Sequence, residues 1–138
     1  MDHYQIISGS FQAAIESIAM SVDDLAEPLS HATDLMSGAL LQDHKILCCG
    51  DGADAALASL FTSNLLGHFA RERPALPALC LSTDSASLTA IGTGYGMDDI
   101  FSRQVRALGQ AGDVLFCIDS ALAHGVSLQR AAQAAGER

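Results

Sequence analysis

From Ile7 the apolar positions Ile7, Phe11, Ile15, Ile18, Val22 and Leu25 recur at steps of four, four, three, four and three, the stripe of an amphipathic helix. Pro28 lacks an amide N–H and crowds the preceding turn, so the pattern predicts that it stops or restarts the helix. Leu29, Ala32, Leu35, Met36, Ala39 and Leu40 then carry a second helical face to about Leu41. Two helices ahead of the first strand have little sheet of their own to cover. The expectation is a helical pair over residues 1–43 that packs on partner helices as in a bundle, an oligomerisation unit.

Residues 44–138 follow a different rhythm. Lys45 to Cys49 is a short apolar run closed by Gly50 and Gly52, and an Ala- and Leu-rich helical stretch from Ala53 to Leu66 follows it. Pro74 and Pro77 lead into a second strand over Ala78 to Leu81, after which Thr83 or Asp84 caps a helix through Leu88 to Ile91. Asp98 or Asp99 opens another helix through Val105 to Leu108, Asp113 to Ile118 is the third strand, and Ala121 to Ala135 reads as a last helix. Strands that are apolar throughout and separated by helices predict a parallel sheet covered on both sides, with ligands at the carboxyl ends of the strands.

Composition narrows the function classes. The chain of 138 residues is 49% apolar and 17% charged, and 7 Lys+Arg against 16 Asp+Glu give a net charge of −9. A duplex-binding surface needs clustered positive charge, so direct nucleic-acid binding is disfavoured. The N-terminus carries neither a basic segment nor the apolar run of a leader, and no stretch approaches a membrane span; the expectation is a cytoplasmic protein with no membrane partner. High apolar content with few charges points to surface meant for another subunit, as a dimer or tetramer. Cys48, Cys49, Cys80 and Cys117 form neither a C-x-x-C pair nor a disulfide framework and read as buried, reduced thiols.

The turn Cys49-Gly50-Asp51-Gly52-Ala53-Asp54 sits after a strand and before a helix, where unpaired N–H groups attract anions. No G-K-[ST] follows, which excludes a P-loop, and Ala55 stands where a dinucleotide fingerprint needs its third glycine. Taken with H-F-A-R-E-R-P-A-L-P-A, S-T-D-S-A-S-L-T-A-I and Q-V-R-A-L-G-Q-A-G-D-V-L, the chain from about residue 5 to 120 resembles the sugar isomerase (SIS) domain family, in its branch of phosphoheptose isomerases and DiaA-type initiator-associating proteins. The resemblance implies a three-layer αβα, flavodoxin-like parallel sheet, here C-terminally shortened because the family domain continues with two more strands and a helix. It also implies a homotetramer joined through N-terminal helices.

The same resemblance implies a sugar-phosphate site altered at several places. Ser63 stands where active phosphoheptose isomerases carry a catalytic Glu, and Leu60 where they carry a His. A hydroxyl cannot shuttle a proton at neutral pH. Asp119, Ser120, Ala121, Leu122, Ala123 and His124 replace the S-T-S-G-N-S phosphate loop, and Asp51 and Asp54 replace Asn and Ser of the first turn. Added carboxylates repel phosphate. Gly50, Asp51, Gly52, Asp54, Ser63, Asp119 and Ser120 are therefore expected to form a vestigial sugar-phosphate site with no catalytic residue, no metal and no cofactor. The expected function is a non-catalytic oligomer that binds the replication initiator DnaA and regulates replication initiation by multivalent tethering. The competing expectation is a phosphoheptose isomerase-like sugar-phosphate isomerase or sugar-phosphate-binding sensor.

The remaining polar residues have simpler readings. His3, His31, His44, His68 and His124 are scattered without a metal-ligand spacing. Glu72 between Arg71 and Arg73 reads as a solvated turn, Asp98 and Asp99 as acids at a helix start, and Arg103 and Arg106 as a solvent-facing stripe.

Overall fold

The computed structural model describes residues 2–121 and 125–138. The chain separates into two units, Met1–Leu35 and Met36–Arg138.

The first unit is most of one helix, α1, which runs without interruption from His3 to Leu41 and contains Pro28. This corrects the expected pair of helices. A proline costs one intrahelical hydrogen bond, and on an exposed helix water can satisfy the carbonyl left over, so it need not end the helix. The spacing of apolar residues carries the same message. From Phe11 the 4–3 alternation runs through Ile15, Ile18, Val22, Leu25, Leu29, Ala32 and Met36 to Ala39, with no change of register at Pro28. Such a 3.5-residue repeat is the seam of a left-handed coiled coil. Phe11, Ile15, Ile18, Val22, Leu25 and Leu29 are all exposed. No helix among the described residues is long and apolar enough to cross a membrane.

The second unit is built on a three-stranded parallel sheet of β1 (Ile46–Gly50), β2 (Ala78–Cys80) and β3 (Val114–Ile118) in the order β2-β1-β3. Every residue of β1 is buried, as a central strand covered on both faces requires. The helices are α2 (Asp54–Leu66), α3 (Ser85–Tyr95), α4 (Ser102–Leu108) and α5 (Val126–Gly136). Leu47 and Cys49 face a core of Leu81, Phe101, Val105, Leu128, Ala131 and Ala134 supplied largely by α4 and α5. Cys48 faces the opposite side with Ala58 of α2 and Cys80, joined by Phe61 and Phe116, whose rings lie 4.8 Å apart. The expected parallel α/β architecture is thus present.

Details of the helix starts differ from expectation. Asp84 does cap α3, accepting from the N–H groups of Ala86 and Ser87, while the Thr83 hydroxyl donates to the Cys80 carbonyl. Asp98 and Asp99 do not open α4. They lie in a 3₁₀ turn, Met97–Asp99, where Asp99 accepts from the Ser102 hydroxyl at 3.0 Å and pairs with Arg130 of α5 at 2.7 Å. The carboxylate is spent tying α5 to the turn rather than capping a helix. The last helix begins at Val126, later than the expected Ala121. Arg103 lies 3.5 Å over the Tyr95 ring, and Arg73 donates to the carbonyls of Asn64 and Leu65, closing the end of α2. Neither arginine was distinguishable in the sequence from a solvated charge.

The sheet is anchored at its opposite end by one buried carboxylate. Asp113 accepts from the Lys45 N–H at 2.9 Å, from the Gln110 N–H at 2.8 Å and from the Lys45 ammonium at 2.5 Å, joining the starts of β1 and β3. Burial raises its pKa, but the hydrogen bonds from Lys45 and Gln110 outweigh that and hold it below the ordinary carboxylate value.

Candidate functional site

The carboxyl ends of β1 and β3 bring together most of the residues singled out in the sequence. Gly50 ends β1, and a methyl group there would lie 2.6 Å from the Asp54 carbonyl, so only glycine lets α2 start directly against the strand. Gly52 adopts φ +54°, the left-handed conformation that reverses the chain. The turn then closes on itself: the N–H groups of Asp54, Ala55 and Ala56 donate to the carbonyls of Asp51, Gly52 and Ala53. Those three amides, expected to await an anion, are thereby engaged.

Asp54 is buried and does not stand as an open negative charge. It accepts from the Ser120 N–H at 2.9 Å and from the Ser120 hydroxyl at 2.6 Å, binding the loop after β3 to the turn after β1. Asp51 is exposed and accepts from the Ser127 hydroxyl at the start of α5. Gly125 lets the chain pass close to this carboxylate, because a methyl group on it would stand 3.1 Å from Asp51 Oδ2. Asp119 follows β3 and is half-buried. Leu122, Ala123 and His124 of the same loop lie outside the described residues.

Two further serines belong to this end of the sheet. The Ser82 hydroxyl, just past β2, accepts from the Gly50 N–H at 3.1 Å and donates to the Gly50 carbonyl at 2.9 Å. Ser127 is the partner of Asp51. A lone serine carries no periodic signal. Position two residues beyond a parallel strand was the one available clue for Ser82.

Ser63 is not part of this constellation. It lies nine residues along α2 from Asp54, about 13 Å at 1.5 Å per residue. Its hydroxyl donates to the Leu60 carbonyl, and it borders a shallow hollow of about 240 Å³ with Thr62, Leu79 and Thr83. Another hollow, of about 500 Å³, lies beside β2 between α3 and α4, with Asp84, Arg103 and Gln104 on its walls. Among the described residues no three His, Cys, Asp or Glu side chains converge on a metal-sized site.

Residues 10–137 match the SIS domain family. A phosphoheptose isomerase of Pseudoalteromonas atlantica is 46% identical over 112 residues, which are 81% of this chain and 57% of that protein. A phosphoheptose isomerase of Coxiella burnetii is 38% identical over 135 residues, 98% of this chain and 67% of that protein. The solved structure of a phosphoheptose isomerase from Neisseria gonorrhoeae superposes with a TM-score of 0.89 at 39% identity, covering 98% of this chain and 70% of that one. The chain therefore spans between 57% and 70% of the length of these relatives.

These similarities overturn the expected non-catalytic, DnaA-binding role. Relatives at 38–46% identity over most of the chain carry the name of an enzyme, phosphoheptose isomerase. The rejected reading gave decisive weight to one missing Glu and a few added carboxylates. A proton can be carried by any suitably placed carboxylate or imidazole, so one substituted position does not decide catalysis.

Proposed function

The chain belongs to the SIS domain family, and from that membership we propose that it acts as a phosphoheptose isomerase-like protein, binding a sugar phosphate where β1 and β3 end and interconverting its aldose and ketose forms. The observation that carries the reading is the pair of hydrogen bonds from Ser120 to Asp54. They hold the loops after β1 and β3 side by side, so that Gly50, Asp51, Gly52, Asp119 and Ser120 surround one end of the sheet. The carboxyl end of a parallel sheet is where such folds place ligands.

Charge tempers the affinity without removing it. The Asp54 carboxylate is turned toward its two Ser120 donors, which leaves Asp51 as the exposed carboxylate of the turn. Two unit charges 4 Å apart in water repel by about 1 kcal/mol, roughly a fivefold loss of affinity for each phosphate charge. Isomerisation itself needs a group that takes a proton from one carbon and returns it to the neighbouring one through an enediol. Asp51 meets that need, with the Ser127 hydroxyl fixing its orientation. Ser63 has neither the position nor the acidity.

Calorimetric titration with sedoheptulose 7-phosphate and a turnover assay on the same ligand test the proposal. Saturable binding, tightened several-fold in Asp119→Lys, where a cation replaces a carboxylate that repels phosphate, and weakened in Gly52→Val, is the expected result, with Asp51→Asn retaining binding and losing turnover by more than 100-fold. A folded chain that gives neither heat nor turnover at millimolar ligand overturns it. The exposed apolar seam of α1 supports a homo-oligomer in which copies of α1 cover one another.

A further inference from the structure

Beneath the two loops of the candidate site lies a pair of thiols that the proposed isomerisation does not use. Cys49 of β1 and Cys117 of β3 are register partners in adjacent parallel strands, and their sulfurs are 3.6 Å apart. Both point into the core formed with α4 and α5. Cys49 is fully buried, whereas Cys117, on the outer strand β3, is only half-buried. Neighbouring strands run about 4.8 Å apart, which falls within the Cα separation a disulfide tolerates, roughly 4.4 to 6.8 Å. Bond formation needs the sulfurs to close by about 1.5 Å, to the usual length of about 2.05 Å.

We propose that Cys49 and Cys117 are a redox-active dithiol in which Cys117 attacks hydroperoxides and Cys49 resolves the product to a reversible intrachain disulfide. In the first step the Cys117 thiolate attacks one oxygen of ROOH: an S–O bond forms, the O–O bond breaks, and RO⁻ leaves and is protonated to ROH. Cys117 is then a sulfenic acid. In the second step the Cys49 sulfur attacks that of Cys117. The S–S bond forms, the S–O bond breaks, and the hydroxide leaves with the Cys49 proton as water. The two thiols lose two electrons and the peroxide gains them.

The surroundings favour this division of labour. With Cys49 protonated and donating, their contact favours the Cys117 thiolate and holds its pKa below the ordinary thiol value against burial and the Asp51 carboxylate, while the same contact and then burial raise that of Cys49. The other register pair, Cys48 and Cys80, provides an internal contrast. Both are buried, so neither sulfur of that pair is open to a peroxide, whereas Cys117 is half-buried. The cross-link would join the residues immediately before Gly50 and Ile118, at the roots of both site loops. The dithiol does not rest on the sugar-phosphate reading.

The test exposes the full chain to tert-butyl hydroperoxide under native conditions, then alkylates it in denaturant and maps the peptides without reduction. The expected result is a fall from four free thiols to two, a Cys49–Cys117 linked peptide, alkylated Cys48 and Cys80, and recovery of four thiols on reduction. A Cys49→Ala variant should stop at a Cys117 sulfenic acid that dimedone captures. Because that variant empties a buried position, the wild-type map decides independently of it. Four thiols surviving the peroxide, a link through Cys48 or Cys80, a link between two chains, or over-oxidation of Cys117 in the wild type each overturn the proposal.

Discussion

Leu47 and Ile18 are aliphatic residues of nearly equal size, and each sits in the middle of an apolar pattern that was plain in the sequence. Leu47 is 2% exposed and Ile18 is 69% exposed. The α/β unit supplies its own cover: β1 has a helical layer on each face and a strand on each edge. The stripe of α1 from Phe11 to Leu29 is as regular, yet its side chains remain exposed. Periodicity therefore identifies the element and the face that is to be buried, but not whether the cover comes from the same chain. A wholly apolar strand of five residues needs two layers around it, whereas a 4–3 seam on a long helix is satisfied by a second helix of the same kind.

The largest expected effect comes from truncating the self-covered side. Leu47→Ala should lower the unfolding free energy by about 3 kcal/mol in denaturant titration, at any protein concentration, because the cavity opens inside one chain. A loss that disappears on dilution would mean that this core, too, is completed by another copy. Asp113→Asn follows, at about 2 kcal/mol, since three donors converge on a buried carboxylate. The sign of its pH dependence is fixed. The folded-state pKa is depressed, so the stabilisation is present above the unfolded value near 4 and is lost as the pH falls through the folded value. Wild type should lose stability steeply below about pH 4, and the variant should show a flatter acid limb. Asp54→Asn comes next, at about 1 kcal/mol, because an amide keeps one acceptor oxygen for Ser120 and loses the other. An unchanged melting temperature there would show that the loop after β3 is held by something else.

How much of this was legible in the sequence follows from the same contrast. The strands were readable because KILCC and DVLFCI are short apolar runs flanked by Gly or Asp, and parallel pairing follows from the helices between them. Pro28 misled because its local cost was weighed above the register of the stripe, which crosses it unchanged. At the site, Gly50, Gly52 and Asp54 were legible as a strand-turn-helix junction, and Asp119 and Ser120 through the resemblance to the family's phosphate loop after the third strand. What the sequence could not show was direction. Asp54 looked like a charge facing a ligand, but it faces Ser120, and this depends on β1 and β3 being neighbours in a given register. Ser127 and Ser82 were missed for the same reason, since each becomes a partner only when segments far apart in the chain are laid side by side. Ser63 failed in the opposite way. A motif position counted along the chain placed it with the turn, whereas 1.5 Å of rise per residue carries it toward the other end of α2.

The smallest expected effect is the one that separates the two regions most cleanly. Ile18→Ala removes as much apolar volume as many core truncations, but on a chain held dilute enough to be monomeric it should change unfolding by no more than about 0.5 kcal/mol, as for other exposed positions. The same variant at high concentration should assemble more weakly in light scattering, because a seam residue loses its partner only where a partner exists. Stability and assembly would then respond to different halves of one apolar pattern: Leu47→Ala lowers stability at every concentration, and Ile18→Ala matters only when chains meet. An Ile18→Ala chain that unfolds about 3 kcal/mol more easily as a monomer would erase the distinction, because it would require α1 to be covered from within its own chain.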